Sequence, residues 1–326
     1  MTTESAPAKR HAAVVYNPIK VDLARLEKLV ADSELAADWG PTLWLETTEA
    51  DAGQGMTRHA LNAGASVVLA AGGDGTVRAV AEALRATGVP LALLPAGTGN
   101  LLARNLELPL SNHTELVSTA FTGNDRVLDL GIAAIVRDDG SRHEYAFLVM
   151  AGLGVDAQMI AHTRPQLKKI FGWLAYVDAV GRVIPKLKAL HLRYSLDGGP
   201  EQRVTAHTVI VGNCGALPGG LQLIPDAQPD DGILDIAVLQ PRGPFGWVKV
   251  WNSVTLHNGV LTKTALGRSV SKGLPKSRGV RYFRGRDLRV SLAEPEGFQI
   301  DGEHVGETTS VHIWVDPGAL IVRVPT

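Results

Sequence analysis

The stretch that most constrains the fold is SVVLAAGGDGTVRAVAEALRATGVPLALLPAGTGN, residues 66–100. Two uniformly apolar runs, SVVLAA and VPLALLP, each end in a glycine turn, and a helix-like segment separates them. A strand with one wet face alternates apolar and polar residues. These runs do not alternate, so they predict strands covered on both faces, as in a parallel sheet flanked by helices. The residues before them follow the same plan. HAAVVYN predicts a strand, and VDLARLEKLVADSELAADWG an amphipathic helix with Leu23, Leu26, Leu29 and Val30 on one face. TLWLET predicts a second strand, and GMTRHALNAG a second helix closed by Gly64. The sum is a doubly wound α/β domain.

From about residue 125 the texture changes. DRVLDLGIAAIVRD, HEYAFLVMAGLG, LHLRYSLDGG, RVTAHTVIVGN, GILDIAVLQ, VRYFRG, DLRVSLAE and GFQIDGE are short strand candidates bounded by Gly, Pro and Asp. That density predicts an antiparallel sandwich or barrel, interrupted by one longer helix near 166–188. With 326 residues, two domains are expected. We place a nucleotide domain at 1–130, completed by a returning strand at 315–326, and a β-sandwich domain at 131–314.

The single cysteine, Cys214, rules out an intramolecular disulfide and suits a reducing cytoplasm. No apolar run approaches the roughly 20 residues of a membrane span, and MTTESAPAKRH lacks the apolar core of a secretory signal, so a cytoplasmic protein is expected. The net charge of −1 hides an asymmetry: residues 1–160 carry 12 Lys+Arg against 19 Asp+Glu, and residues 161–326 carry 20 against 14. The excess lies in 161–193 and 263–289, each opposed by one acid, Asp178 and Asp287 respectively. Such stretches suit an anionic membrane, phosphate groups or nucleic acid, or a plain solvated surface.

In a doubly wound sheet, ligands bind beyond the carboxyl ends of the strands. GGDGT (72–76) and GTGN (97–100) fall at such ends. Glycines admit close approach of an anion, and helix N-terminal amides supply donors. Asp74 repels phosphate unless a divalent cation intervenes, so glycines with a carboxylate point to phosphate accompanied by Mg²⁺. GLGVDA (152–157) matches a dinucleotide fingerprint formally but opens no βαβ unit, and no Gly-Lys dipeptide, hence no P-loop, exists. PDAQPDDGILD (225–235) reads equally as a hairpin turn and as a cation loop. FQIDGEHVGE (298–307) reads equally as a turn and as a site. There Gly302 and Glu303 fall on a hairpin turn if 298–301 is a strand.

GGDGTVRAVAEAL with LLPAGTGNLLARNLELP, followed in order by AGLGVDAQMI, PDAQPDDGILD and IDGE, resembles the lipid kinase family of bacterial diacylglycerol kinases and eukaryotic sphingosine and ceramide kinases. The resemblance covers nearly the whole chain. It implies an α/β nucleotide domain, a C-terminal β-sandwich, and transfer of the ATP γ-phosphate to a lipid hydroxyl with Mg²⁺. Carried over by motif, Asn17 and Thr48 lie by the nucleotide. Gly73, Asp74, Gly75 and Thr76 hold phosphates and Mg²⁺, and Gly97, Thr98 and Asn100 complete the pocket. Asp156 lies beside the acceptor lipid, with Lys168 and Lys169 as further substrate contacts. Asp231 with the carbonyls of Gln228 and Ile233 matches a structural Mg²⁺ site. Glu303 is the expected general base and Asp301 its acidic neighbour.

Three positions depart from the family pattern: Lys20 where a small residue is usual, Arg78-Ala79 where Asn-Glu is usual, and Leu101 where bacterial diacylglycerol kinases often carry Asp. The expected partners are a lipid substrate, most simply diacylglycerol, and the anionic inner face of a membrane, bound peripherally. Nucleic acid is not expected, and the resemblance is compatible with a homodimer. A sphingosine- or ceramide-type kinase, an NAD-kinase-like enzyme and a non-catalytic lipid- or nucleotide-binding regulator remain as alternatives.

Overall fold

A computed structural model describes residues 9–137, 139–154, 189–217, 221–240 and 279–326. The chain divides into two compact units, Met1–Leu128 with Gly318–Thr326, and Asp129–Pro317. In the first unit, β1 (Ala12–Tyr16), β2 (Leu43–Glu46), β3 (Val67–Gly72) and β4 (Leu91–Pro95) form a parallel sheet in the order β4-β3-β1-β2. The end of the last strand, β16 (Glu303–Val324), adds to β4 in parallel, with Val322 opposite Leu91. β1, β3 and β4 are buried at every residue, which accounts for their unbroken apolar runs.

Helices α1 (Leu23–Ala37), α2 (Gln54–Asn62) and α3 (Asp74–Leu84) connect the strands, followed by the short α4 (Leu101–Asn105) and by α5 (His113–Thr122). The path runs outward from β1 to β2, then back past β1 to β3 and β4. Right-handed crossovers therefore put α1 on one face and α2 and α3 on the other. The packing agrees: α1 lies on α5, and α2 lies on α3. Leu26 and Val30 of the amphipathic helix are buried as predicted, with Asp22 capping its start by accepting from Arg25 N.

The second unit is antiparallel. Its strands are β5 (Asn124–Val136, beginning in the first unit), β6 (Arg142–Phe147), β7 (Met150–Leu153), β8 (Leu190–Leu196), β9 (Gln202–Ala206), β10 (Thr208–Gly212), β11 (Ala216–Leu217), β12 (Leu221–Gln222), β13 (Leu234–Leu239), β14 (Val280–Gly285) and β15 (Asp287–Ile300), then the first part of β16. Pairing runs β14-β13-β10-β7-β15-β16. β8 joins β15 and β9, while β5 pairs with β6, and β11 with β12. Phe147, Ile135, Leu153, Val211, Ile236, Val290 and Phe298 bury one core between these strands, as the sandwich reading expects.

Three strand boundaries differ from the sequence reading, each for a local reason. HEYAFLVMAGLG breaks into β6 and β7 because the amides of Leu148, Val149 and Met150 turn toward the carboxylate of Asp301. RVTAHTVIVGN breaks at His207, where the chain leaves β8 for β7 and β13. DLRVSLAE and GFQIDGE are one strand, with a register shift between Ser291 and Glu296. Pro295 lies in that interval and has no N–H for the ladder.

Candidate functional site

The strand order reverses direction between β1 and β3, the place in an open α/β sheet where ligands bind beyond the carboxyl ends of the strands. Three loops meet at it: Asn17–Asp22 after β1, Gly72–Asp74 after β3, and Ala96–Asn100 after β4. Asn17 N donates to Ala71 O at 2.9 Å, tying the first loop to the end of β3. Its side-chain Oδ1 accepts from Ile19 N at 3.1 Å and holds the loop in a tight turn.

The two glycine turns touch. A Cβ on Gly97 would stand 2.8 Å from Gly73 Cα, and one on Gly99 2.6 Å from Asp74 Oδ2. A side chain at Gly97 would press on backbone, and one at Gly99 would have to displace the Asp74 carboxylate. Asp74 is the first residue of α3, and its carboxylate joins the turns: Oδ2 accepts from Asn100 N at 2.9 Å and Oδ1 from Leu101 N at 2.6 Å. Asn100 is left-handed, with φ 49°, and its side chain closes on Gly97, accepting from its N and donating to its O. Gly75 and the buried Thr76 form the first turn of α3, and the Thr76 side chain fills the space a Gly72 side chain would need. Thr98 is exposed at the tip of the second turn. Asn17, Gly73, Asp74, Gly97 and Asn100 are thus brought together. Thr48 lies in the loop after β2, where its hydroxyl accepts from Asp51 N at 3.1 Å.

In the second unit, Ile300 and Glu303 pair across a two-residue turn of Asp301 and Gly302, both left-handed. The turn is therefore one residue earlier than the sequence reading placed it, and Glu303, exposed, opens β16. Asp301 was expected to be an acidic partner in the chemistry. Its carboxylate is buried and accepts from three backbone amides, Leu148 N and Val149 N at 2.9 Å and Met150 N at 3.0 Å, while its own N donates to Met150 O. These bonds fix the turn that Glu303 follows.

Asp231, expected to hold Mg²⁺ with the Gln228 and Ile233 carbonyls, makes two side-chain contacts. Asp231 Oδ1 accepts from Ile233 N at 3.1 Å, and its Oδ2 is ion-paired with the guanidinium of Arg284. The same guanidinium lies 3.1 Å from Oδ1 of buried Asp235. The loop is braced further by Asp129, whose Oδ2 accepts from Gly232 N and whose N donates to Pro229 O. Burial holds the Asp235 carboxyl above the usual carboxylate range; Arg284 pulls it down, while Asp231 and Asp226 push it up. Arg284 thus shares one guanidinium between the Asp231 and Asp235 carboxylates. Among the described residues no group of three His, Cys, Asp or Glu is arranged to hold a metal. Asp156, Lys168, Lys169 and the helix expected near 166–188 lie outside the described residues.

The comparisons with known proteins bear on both units. Residues 11–133 match the diacylglycerol kinase catalytic domain, and residues 149–324 the YegS C-terminal NAD kinase beta sandwich-like domain. A protein of Pseudomonas syringae pv. tomato named "Probable lipid kinase YegS-like" is 36% identical over 289 residues, 86% of this chain and 82% of its own length. A Mycobacterium tuberculosis protein named "Diacylglycerol kinase" is 32% identical over 187 residues, 56% of this chain and 59% of that protein. The first of the curated relatives is matched over only 55% of its own length. A crystal structure of a diacylglycerol kinase from Bacillus anthracis shares the fold, with TM-score 0.65 and 21% identity over 98% of this chain and 97% of that one. The chain belongs to the lipid kinase family that joins a diacylglycerol kinase catalytic domain to a YegS-type C-terminal domain.

Proposed function

We propose that this lipid kinase transfers the γ-phosphate of ATP to a lipid hydroxyl, most simply that of diacylglycerol, giving phosphatidic acid. The observation that carries the reading is the docking of two Cβ-free turns through the Asp74 carboxylate, beyond the strand ends of a diacylglycerol kinase catalytic domain. Phosphoryl transfer needs positioning and charge neutralisation more than covalent help. Here the glycines admit phosphate against the backbone, and the first-turn amides of α3 face it with the favourable end of the helix dipole. Each Asp74 oxygen accepts one amide and keeps a lone pair, which suits Mg²⁺ held by one carboxylate and substrate phosphates. Mg²⁺ would supply charge neutralisation between the phosphates and that carboxylate. Glu303, exposed at the start of β16 just after its turn, is the carboxylate assigned to accept the proton of the lipid hydroxyl.

The basic excess of residues 161–326 supports peripheral binding to an anionic membrane face. No helix among the described residues is long and apolar enough to cross a bilayer. Co-sedimentation at low salt should be stronger with anionic than with neutral vesicles; equal, weak binding to both removes this part of the proposal. The activity itself is tested with labelled ATP, Mg²⁺ and separate acceptors: diacylglycerol, sphingosine, ceramide and NAD. Transfer to diacylglycerol that is lost in Asp74→Ala and Glu303→Ala is expected. Transfer only to another acceptor overturns the substrate, and transfer unchanged in both variants overturns the site.

A further inference from the structure

Beside the two glycine turns stands a cation that none of the hydrogen bonds above engages, the ammonium of Lys20. The loop that carries it is well tied down. Lys20 N donates to Asn17 O at 3.1 Å, Ile19 N to Asn17 Oδ1 at 3.1 Å, and Asn17 N to Ala71 O at 2.9 Å. At the tip, Ile19 points to solvent and is 91% exposed. Lys20 runs the other way, over the start of α3. Its Nζ lies 2.6 Å from where a Cβ on Gly73 would stand, and its Cε 3.8 Å from that point.

Gly73 has φ −90° and ψ −174°, extended backbone that any residue adopts. Conformation therefore does not require glycine there. What the missing Cβ leaves is space between the Lys20 ammonium and the first turn of α3. Among the described residues no carboxylate ion-pairs with Lys20. The neighbouring acid, Asp74, has both oxygens on the amides of Asn100 and Leu101. The solvent-exposed Lys20 ammonium and the first turn of α3 thus lie on either side of a Cβ-free gap, an arrangement suited to phosphate.

We infer that Lys20 binds the phosphate chain of the nucleotide and makes the site select nucleoside di- and triphosphates over nucleosides. The inference rests on the nucleotide-kinase reading and adds a residue to it. The ammonium supplies three donors and a full charge on the solvent side of the chain, where the backbone amides do not reach. Its contribution scales with the charge of the ligand and is screened by salt.

The test is calorimetric binding of ATP, ADP and adenosine, with Mg²⁺, to the full-length wild type, Lys20→Met and Lys20→Arg. Lys20→Met should bind ATP and ADP about 10- to 100-fold more weakly, the size expected for one charge-assisted contact. Adenosine affinity should stay within about twofold, ATP affinity should fall less steeply with added NaCl, and Lys20→Arg should recover most of the loss. Unchanged ATP binding in Lys20→Met overturns the inference, as does an equal loss for adenosine, which would mark a structural role. A wild type that binds ATP and phosphorylates lipid beside an indifferent Lys20→Met sinks the inference alone. A wild type that binds no adenine nucleotide sinks the inference and the proposed function together.

Discussion

GGDGT and PDDG look alike in sequence: an acid among glycines at a turn, each suited to a cation. They close differently. At Asp74 the carboxylate is held by two neutral amides, Asn100 N and Leu101 N, and nearby stands a lysine that no carboxylate among the described residues ion-pairs. At Asp231 the carboxylate is held by the guanidinium of Arg284, which reaches buried Asp235 as well. Neutral donors position a carboxylate without cancelling its charge, so a cation is still attracted to it. A single guanidinium shared by two carboxylates offsets part of their charge, so a cation is attracted less strongly there. Whether an acidic glycine turn can serve a metal is decided by what approaches it from elsewhere in the chain.

The strongest way to break this comparison is Asp74→Ala. It removes the charge and leaves two amides without their acceptor, so phosphoryl transfer should fall by about 10²- to 10³-fold, the scale of losing a preorganised electrostatic group. Asp74→Asn separates the two roles. It keeps an oxygen for one amide and should recover stability in a melting experiment while transfer stays low. If Asp74→Asn is as active as wild type, the turn is held together for structural reasons and the contrast with Asp231 disappears.

Asp301 extends the contrast to a carboxylate buried among three amides. Asp301→Ala orphans all three, and urea denaturation should show a loss of about 3 kcal/mol or more. Glu303→Gln, two residues away and exposed, should unfold within about 0.5 kcal/mol of wild type while losing transfer. A stable Asp301→Ala that loses only activity would place Asp301 in the chemistry itself. Gly97→Ala is milder. Its Cβ would stand 2.8 Å from Gly73 Cα, a backbone atom that cannot swing aside, so the turns must part at about 1–3 kcal/mol. ATP affinity should fall with stability, and a normal affinity would show that the turns need not touch.

The first unit was legible because its signals are local. Apolar runs, glycines at their ends and the Asp22 cap mark β1, β3, β4 and α1 within a few residues of each boundary. Even there α5 went unread, although Asn112 and Glu115 form a reciprocal cap at its start. What the site residues touch was not legible. The donors to Asp74 come from 26 and 27 residues away, those to Asp301 from about 150 away, and they are backbone amides, which carry no residue-type signature. Arg284 belongs to a strand 53 residues beyond Asp231, and only the pairing of β13 with β14 brings it opposite Asp235.

The smallest expected effect sharpens the comparison most directly. Arg284→Met leaves Asp231 and Asp235 without their cation. Because the guanidinium is half exposed and Asp235 can take a proton, the cost should be about 1–2 kcal/mol, below that of a fully buried pair. The sign with pH follows from Asp235, whose folded carboxyl already titrates above the ordinary 3.8, chiefly through burial. A raised folded pKa gives stability that is fully present below the unfolded value and is lost as pH rises through the folded one. Removing Arg284 takes away the attraction that offsets burial, so that window moves up. The deficit of Arg284→Met against wild type should then be largest near neutral pH and shrink on acidification, measured as Tm across pH 4 to 8. Millimolar Mg²⁺ or Ca²⁺ should raise the Tm of the variant more than that of wild type, since the freed carboxylates can now take a cation. If the deficit is flat with pH and indifferent to divalent ions, Arg284 acts through packing alone, and the two turns differ less than their partners suggest.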